Sequence, residues 1–156
     1  MKRLLLVTAV VIMSCAAACG GSSNPTTPST TAPSTAMPGT PVAIEGGGTY
    51  WDVTPAELAS IKVKDFTLAD IDTTYIGEIG GTDLFLNSNT ISQNLDKLPS
   101  DKTTKIVIYC AAGMSSKTVA ITLVKAGYTR VMELEGGIIA WQQQGYPTIF
   151  KTRTIT

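Results

Sequence analysis

Histidine is absent from this 156-residue chain, cysteine occurs three times, and aromatic residues make up only 6% of the sequence. Without histidine the chain lacks the commonest general base and the commonest metal ligand. Cys15, Cys19 and Cys110 have no histidine to complete a zinc-binding set. The composition therefore argues against a zinc site and against histidine-based catalysis.

The chain also lacks a charge bias and a long apolar run. Its 12 basic residues balance its 12 acidic residues and form no basic stripe, so nucleic acid is not an expected partner. The longest apolar run, residues 4–13, is too short to span a bilayer securely. It follows Lys2 and Arg3 and precedes the small residues 14–19, which is the pattern of a secretory signal peptide.

The segment A-A-A-C-G-G-S-S-N around Cys19 resembles the processing site of bacterial lipoproteins. That resemblance implies a signal peptide over residues 1–18 and a lipid anchor on Cys19. It also implies a place in the bacterial cell envelope, on the extracytoplasmic side of a membrane. Cys15, preceded by I-M-S, is the rival lipidation site, and cleavage of an ordinary signal peptide is the other alternative.

Residues 19–48 are rich in serine, threonine, proline and glycine and hold almost no large apolar side chain. Such a segment cannot bury enough surface to fold, and its prolines favour an extended chain. We therefore predict a disordered tether that holds a folded domain, residues 49–150, away from the membrane. Residues 151–156 are predicted to be a C-terminal tail.

The stretch K-I-V-I-Y-C-A-A-G-M-S-S-K, residues 105–117, is the centre of the predicted domain. Its β-branched run, residues 106–109, is typical of a strand buried on both faces. The small residues after Cys110 allow a sharp turn. Ser115 or Ser116 is predicted to cap the helix that follows.

This arrangement has a chemical consequence for Cys110. Loop N–H groups and the dipole of the following helix stabilise an anion at one point. We therefore expect Cys110 to ionise near neutral pH and to act as a nucleophile. The alternative is that Cys110 is a small buried hydrophobic residue.

Strand and helix patterns alternate through the rest of the domain. Residues 50–53 are predicted to be a short edge strand or a lead-in, and a capping box at Thr54 starts a helix. Strands are then predicted at 66–71, 84–86 and 130–134, and helices at 90–98 and 138–144. This alternation predicts an α/β domain with a parallel sheet. Ligands bind such sheets at the carboxyl ends of the strands, which is where Cys110 lies.

Residues 106–147 resemble the C-terminal half of a rhodanese domain. The resemblance rests on Y-C-A-A-G-M-S-S-K, on E-G-G-I-I-A-W at Glu135 to Trp141, and on Q-G-Y-P. In the first half P-A-E-L, A-D-I-D and D-K-L-P match more loosely. The resemblance implies a rhodanese-like α/β fold with a central parallel sheet flanked by helices on both faces.

The resemblance also implies a thiol-based sulfur carrier without a metal or organic cofactor. Cys110 matches the nucleophile that takes sulfane sulfur from a small anion such as thiosulfate and becomes a persulfide. It then passes the sulfur to a thiol, to cyanide or to an acceptor protein. The loop that holds the persulfide and the donor anion corresponds to Ala111, Ala112, Gly113, Met114, Ser115, Ser116 and Lys117.

Cations that many rhodaneses carry are missing here. Ala111 and Ser115 occupy the two arginine positions of the loop, and D-T-T, starting at Asp72, stands where the family has D-V-R. A variant with C-x-x-G-x-S-S-K, found in single-domain thiosulfate sulfurtransferases, fits Ser116 and Lys117 as anion ligands. Asp72 is expected to be a turn residue or a helix cap.

Other residues near the motif have simpler roles. Tyr109 and Trp141 are expected to lie in the core. A serine at position 116, where the related phosphatases of this fold carry arginine, argues against phosphate-ester chemistry.

Two classes of function remain open from the sequence. The first is a membrane-anchored sulfurtransferase or persulfide carrier. The second is a catalytically inactive rhodanese-fold binding module, with a redox sensor that forms a mixed disulfide at Cys110 as a further alternative.

Overall fold

The computed structural model describes residues 37–152. The predicted signal peptide, Cys15, Cys19 and most of the predicted tether lie outside the described residues, as do residues 153–156. No helix within the described range is long and apolar enough to cross a membrane.

The described part of the chain alternates short strands with helices. In chain order the elements are β1 (Thr40–Ala43), β2 (Thr49–Val53), α1 (Pro55–Ser60), β3 (Thr67–Asp70), β4 (Glu78–Ile79), β5 (Leu84–Phe85), two 3-10 helices (Ser88–Gln93 and Leu95–Lys97), β6 (Ile106–Tyr109), α2 (Met114–Lys125), β7 (Val131–Leu134), α3 (Gly137–Gln143) and β8 (Thr148–Ile149).

Six of these strands form one sheet in the order β1-β2-β7-β6-β3-β5. The pairs β2–β7, β7–β6, β6–β3 and β3–β5 are parallel, and β1 adds an antiparallel edge. β4 and β8 form a separate antiparallel pair. The predicted α/β fold with a mostly parallel central sheet is confirmed.

The sheet is covered on both faces, as its central strand shows. All four residues of β6 are buried. Ile106 and Ile108 join the cluster that contains residues of α2, whereas Val107 and Tyr109 join the cluster that contains residues of α1 and α3. Tyr109 is fully buried and Trp141 is 8% exposed, which confirms both as core residues.

The amino end of the folded part differs from the prediction. β1 lies inside the segment predicted to be a tether, and it pairs with four of the five residues of β2, from Thr40↔Asp52 to Ala43↔Thr49. Pro41 is tolerated there because an edge strand leaves one side of its backbone unpaired. β2 lies between β1 and β7, so it is not an edge strand as the sequence suggested. Val42 and Ile44 pack against the core. The folded part therefore begins before Thr49, and composition missed it because one Val and one Ile stand among small residues.

The helix predicted at 90–98 was wrong in type. Two 3-10 segments occupy this region instead. The side chain of Asn87 accepts from the Asn89 N–H, and the Asn94 side-chain amide donates to the Thr90 carbonyl. Such side-chain hydrogen bonds compete with regular helical bonding, so the segment forms short turns.

The start of α1 agrees with the prediction, whereas the end of the domain extends further than predicted. Thr54 and Glu57 form the predicted capping box at α1. At the other end, β8 pairs with β4, and Lys151 donates its N–H to the Tyr75 hydroxyl and places its Nζ 2.6 Å from Glu78 Oε1. The first residue of the predicted tail is therefore attached to the domain.

Candidate active site

Cys110 follows β6 directly and lies at the carboxyl edge of the parallel strands. Its thiol is free and the residue is only 3% exposed. Sγ accepts a hydrogen bond from the Gly113 N–H at 3.1 Å and lies 3.4 Å from Ser116 Oγ. The sulfur therefore sits beneath its own loop, in contact with one backbone amide and one hydroxyl.

A left-handed glycine makes this loop tight enough to bring α2 to the sulfur. Gly113 has φ +86° and is the N-cap of α2. The first-turn N–H groups of a helix have no acceptor within the helix, and they carry partial positive charge. The predicted cap at Ser115 or Ser116 was wrong, because the turn at Gly113 starts the helix earlier and places Ser116 inside it.

The Gly136-Gly137 turn holds the cysteine loop from the other side. Ile138 N–H donates to the Cys110 carbonyl at 2.9 Å, and Ile139 N–H donates to the Ala111 carbonyl at 3.0 Å. Gly137 has φ +61°, and a Cβ there would lie 2.1 Å from the Cys110 carbonyl oxygen. The E-G-G-I-I-A-W stretch thus binds the cysteine loop through its backbone and leaves no room for a side chain at Gly137.

Asp72 supports the same loop from the end of β3. Its carboxylate accepts hydrogen bonds from the backbone of Ala111 and Thr73, while burial raises its pKa. The Ala111 N–H is therefore directed to Asp72 and not to the sulfur. The Gly113 N–H donates to Sγ. That the other loop amides, as far as Ser116, hold the persulfide stays a prediction.

Two carboxyl groups next to the loop, one buried and one half-buried, were not identified from the sequence. Glu133 is completely buried in β7, and its Oε1 accepts a 2.6 Å hydrogen bond from Ser116 Oγ. Asp52 lies opposite Glu133 in the pairing of β2 with β7. Acidic residues inside the otherwise apolar strands Y-W-D-V and V-M-E-L were the signal that would have found them.

The protonation of Glu133 follows from its surroundings. Burial raises the pKa of Glu133 to about 8, and the neighbouring Asp52 carboxylate adds to this, whereas the Ser116 hydrogen bond and the Lys117 charge oppose it. Glu133 therefore keeps its proton at neutral pH. Its carboxyl accepts the hydrogen bond from Ser116 and lies next to Asp52 in the sheet.

Lys117 is the single basic residue of the loop predicted to bind the donor. Its Nζ lies 3.1 Å from Asp52 Oδ2, and this hydrogen bond raises the pKa of Lys117. The lysine is therefore engaged by a carboxylate, and a role in holding an anion stays a prediction.

The outer surface of the loop is open. Ala112 is exposed and Met114 is 81% exposed, whereas Ala111 and Ser115 are half-buried. A depression of about 190 Å³ beside the first turns of α2 is lined by Ser88, Asn89, Ser115, Thr118 and Val119. Within residues 37–152 no group of three or more His, Cys, Asp or Glu side chains is arranged to hold a metal ion.

Comparison with known proteins gives a consistent result. The family model of the rhodanese-like domain matches residues 80–144. A sulfurtransferase from Allochromatium vinosum is 38% identical over 96 residues, which cover 62% of this chain and 72% of that protein. Thiosulfate sulfurtransferase GlpE from Coxiella burnetii is 31% identical over 90 residues, 56% of this chain and 81% of that protein.

Solved structures agree with this. The crystal structure of a rhodanese-like domain protein from Staphylococcus aureus matches with a TM-score of 0.53 at 27% identity. The match covers 65% of this chain and 98% of that one.

Proposed function

This chain belongs to the rhodanese-like domain family, and on that premise we propose that it is a sulfurtransferase or persulfide carrier whose reactive atom is Cys110 Sγ. The observation that carries the proposal is the Gly113 N–H on that sulfur at 3.1 Å, at the start of α2. An amide and a helix start stabilise a thiolate, and equally the negative end of a persulfide.

The reaction proceeds in two displacements. The Cys110 thiolate attacks the outer sulfur of a sulfane donor, so that a Sγ–S bond forms while the donor's S–S bond breaks and its electron pair leaves with the rest of the donor. With thiosulfate the leaving group is sulfite. An acceptor thiolate or cyanide then attacks the terminal sulfur, and the electron pair of the Sγ–S bond returns to Cys110. No outside oxidant or reductant is needed, because sulfur is only passed on.

The charge around the loop bears on the choice of donor. Lys117 is paired with Asp52, and no other basic residue occurs between Ala111 and Thr118. The donor is therefore held by helix and loop N–H groups and by hydroxyls. We propose that singly charged sulfane donors, such as a hydropolysulfide, react faster than the thiosulfate dianion.

An experiment with the purified full chain tests the proposal. After incubation with thiosulfate or polysulfide, intact mass spectrometry is expected to show one added sulfur that a thiol acceptor removes. Cys110→Ser is the matched control, because it keeps a hydrogen-bonding group and loses only the nucleophile. Absence of an adduct with every sulfane donor would overturn the proposal.

The missing loop cations favour a second candidate, a binding module that does not turn over. In that case Cys110→Ser keeps the full biological function of the chain. In the sulfurtransferase proposal the same variant loses it.

The place of the protein in the cell is a separate proposal, supported by the sequence around Cys19. We propose that Cys19 carries a lipid that anchors the domain to the bacterial cell envelope on its extracytoplasmic side. Expression in bacteria with a labelled fatty acid is expected to label the wild type and Cys15→Ser but not Cys19→Ser. Label retained by Cys19→Ser and lost from Cys15→Ser would show that Cys15 carries the lipid. Absence of label from all three proteins would contradict the proposed lipid anchor.

A further inference from the structure

A continuous series of polar contacts leads away from the buried thiol. Sγ of Cys110 lies 3.4 Å from Ser116 Oγ, and Ser116 Oγ donates to Glu133 Oε1 at 2.6 Å. Ser116 and Glu133 are both 0% exposed. A buried glutamate is uncommon unless it is paired, so this one needs an explanation beyond packing.

The series continues to the protein surface. Oε2 of Glu133 and Oδ1 of Asp52 are both buried and have no other hydrogen-bond partner, and the two residues are direct neighbours in the pairing of β2 with β7. We infer that the carboxyl proton of Glu133 lies between these two oxygens. Asp52 Oδ2 lies 3.1 Å from Lys117 Nζ, and these two side chains are 18% and 42% exposed. The contacts thus run from a thiol closed off from water to a carboxylate that water reaches.

Other titratable groups near Glu133 do not interrupt this series. Tyr50, on β2, senses the charges of Asp52, Lys117 and Glu133, and burial raises its pKa, so it stays a neutral phenol at physiological pH. Lys117, on α2, stays protonated because its hydrogen bond to Asp52 raises its pKa. Of the groups in this series, Glu133 is therefore the carboxyl that holds a proton near neutral pH.

We propose that Ser116, Glu133 and Asp52 form a proton relay between Cys110 and solvent, an inference that rests on the sulfur-transfer function proposed above. In the forward direction the Sγ–H proton moves to Ser116 Oγ while the hydroxyl proton of Ser116 moves to Glu133 Oε1. Glu133 releases its other proton from Oε2 to Asp52, which exchanges it with water beside Lys117. The net change is one thiolate formed and one proton delivered to solvent, and the reverse sequence reprotonates Cys110 after sulfur leaves.

The chain has few other routes for this proton. It contains no histidine, and Cys110 is only 3% exposed, so bulk water has little direct access to the thiol. The pKa of Glu133, about 8, lies near neutral pH, which suits a group that takes up and releases a proton during turnover. Glu133 and Asp52 are thus relay residues, which act on the substrate only through Cys110.

The first test follows the ionisation of Cys110 without requiring sulfur transfer. Alkylation of the peptide that contains Cys110 is measured in the full chain from about pH 5 to about pH 10. The wild type is expected to show a shallow, two-step rise, because Ser116 couples the thiol of Cys110 to the carboxyl of Glu133. Glu133→Gln is expected to show a single step and to react several-fold faster than the wild type above about pH 8, since no charge develops at position 133. Identical profiles would overturn the relay.

The second test measures sulfite release in the first turnover with thiosulfate. Glu133→Gln is expected to slow this step about tenfold or more near pH 6.5, and by less than about twofold near pH 10, where hydroxide removes the thiol proton. Ser116→Ala breaks the same path and is expected to show the same loss. The two variants are independent, so the test can be made with either one if the other fails to fold. A uniform loss at all pH values indicates a purely structural role and overturns the relay.

A control variant accompanies both tests, and the results separate a failure of the relay from a failure of sulfur transfer. Glu45→Gln makes the same chemical change at an exposed position in the turn after β1, and it is expected to behave as the wild type. A wild type that never forms the sulfur adduct refutes sulfur transfer. The alkylation profile still decides the coupling of Cys110 to Glu133 in that case.

Discussion

Replacing Gly137 with alanine is expected to separate the two loops that form the site. The backbone at Gly137 has φ +61°, and a Cβ there would lie 2.1 Å from the Cys110 carbonyl oxygen and 2.7 Å from that of Ala111. A Cβ cannot rotate away, so the backbones must move apart. The hydrogen bonds from Ile138 N–H to Cys110 and from Ile139 N–H to Ala111 are then lost.

The size of the effect follows from these parts. Left-handed backbone destabilises an alanine by about 1–2 kcal/mol. Each lost hydrogen bond adds about 1 kcal/mol. We therefore expect Gly137→Ala to lower the free energy of unfolding by about 3–4 kcal/mol, a large part of the roughly 5–15 kcal/mol typical of a domain.

Gly145→Ala is the matched control for this change. Gly145 has φ +81°, yet nothing lies within 4 Å of a Cβ built there, so only the backbone term of about 1–2 kcal/mol applies. Urea unfolding of the two variants isolates the contact with the cysteine loop, and alkylation of Cys110 reports whether the loop has moved. A Gly137→Ala variant no less stable than Gly145→Ala, with unchanged alkylation, would refute the reasoning.

Other substitutions test the buried polar groups. Because burial raises the pKa of Glu133 from 4.5 to about 8, the folded state holds a proton that the unfolded state releases, so wild-type stability falls as the pH rises across this window. Glu133→Gln should not show this pH dependence, so its free energy of unfolding should rise relative to the wild type by up to a few kcal/mol between about pH 5 and about pH 8. Urea unfolding measures this difference, and a difference that does not change with pH would contradict the prediction. Tyr109→Phe removes the bonds of the hydroxyl to Ile79 N–H and Thr82 Oγ1 and should lose about 1–3 kcal/mol, whereas a neutral result would show that these bonds contribute nothing. Lys117→Met, at a partly exposed ion pair, should change stability by less than about 1 kcal/mol, and a larger loss would indicate that Asp52 depends on this partner.

The sequence predicted what local patterns determine. The apolar run at 106–109, the small residues after Cys110 and the helical spacing that follows lie within one short stretch. The order of strand, loop and helix was therefore predicted correctly, although the helix begins earlier than the predicted cap. The parallel sheet followed from the alternation of elements. The capping box at Thr54 likewise depends on residues three apart.

Features that depend on contacts between distant segments were not predicted. β1 is a strand only because β2 offers it a partner, and nothing in its own composition marks it. Ser116 was interpreted as a cap, but its hydroxyl is directed to Glu133, on a neighbouring strand. The approach of Asp52 to Glu133 depends on strand order and register, which a single sequence does not reveal.

The most direct test of the central claim is the stoichiometry of a single turnover. Full chain mixed with thiosulfate or polysulfide is assayed for sulfur retained on the protein and, with thiosulfate, for sulfite released. The account predicts up to one sulfur per chain, an equal amount of sulfite from thiosulfate, and neither product with Cys110→Ser. Sulfur retained equally by Cys110→Ser, or by neither protein with any sulfane donor, would contradict it.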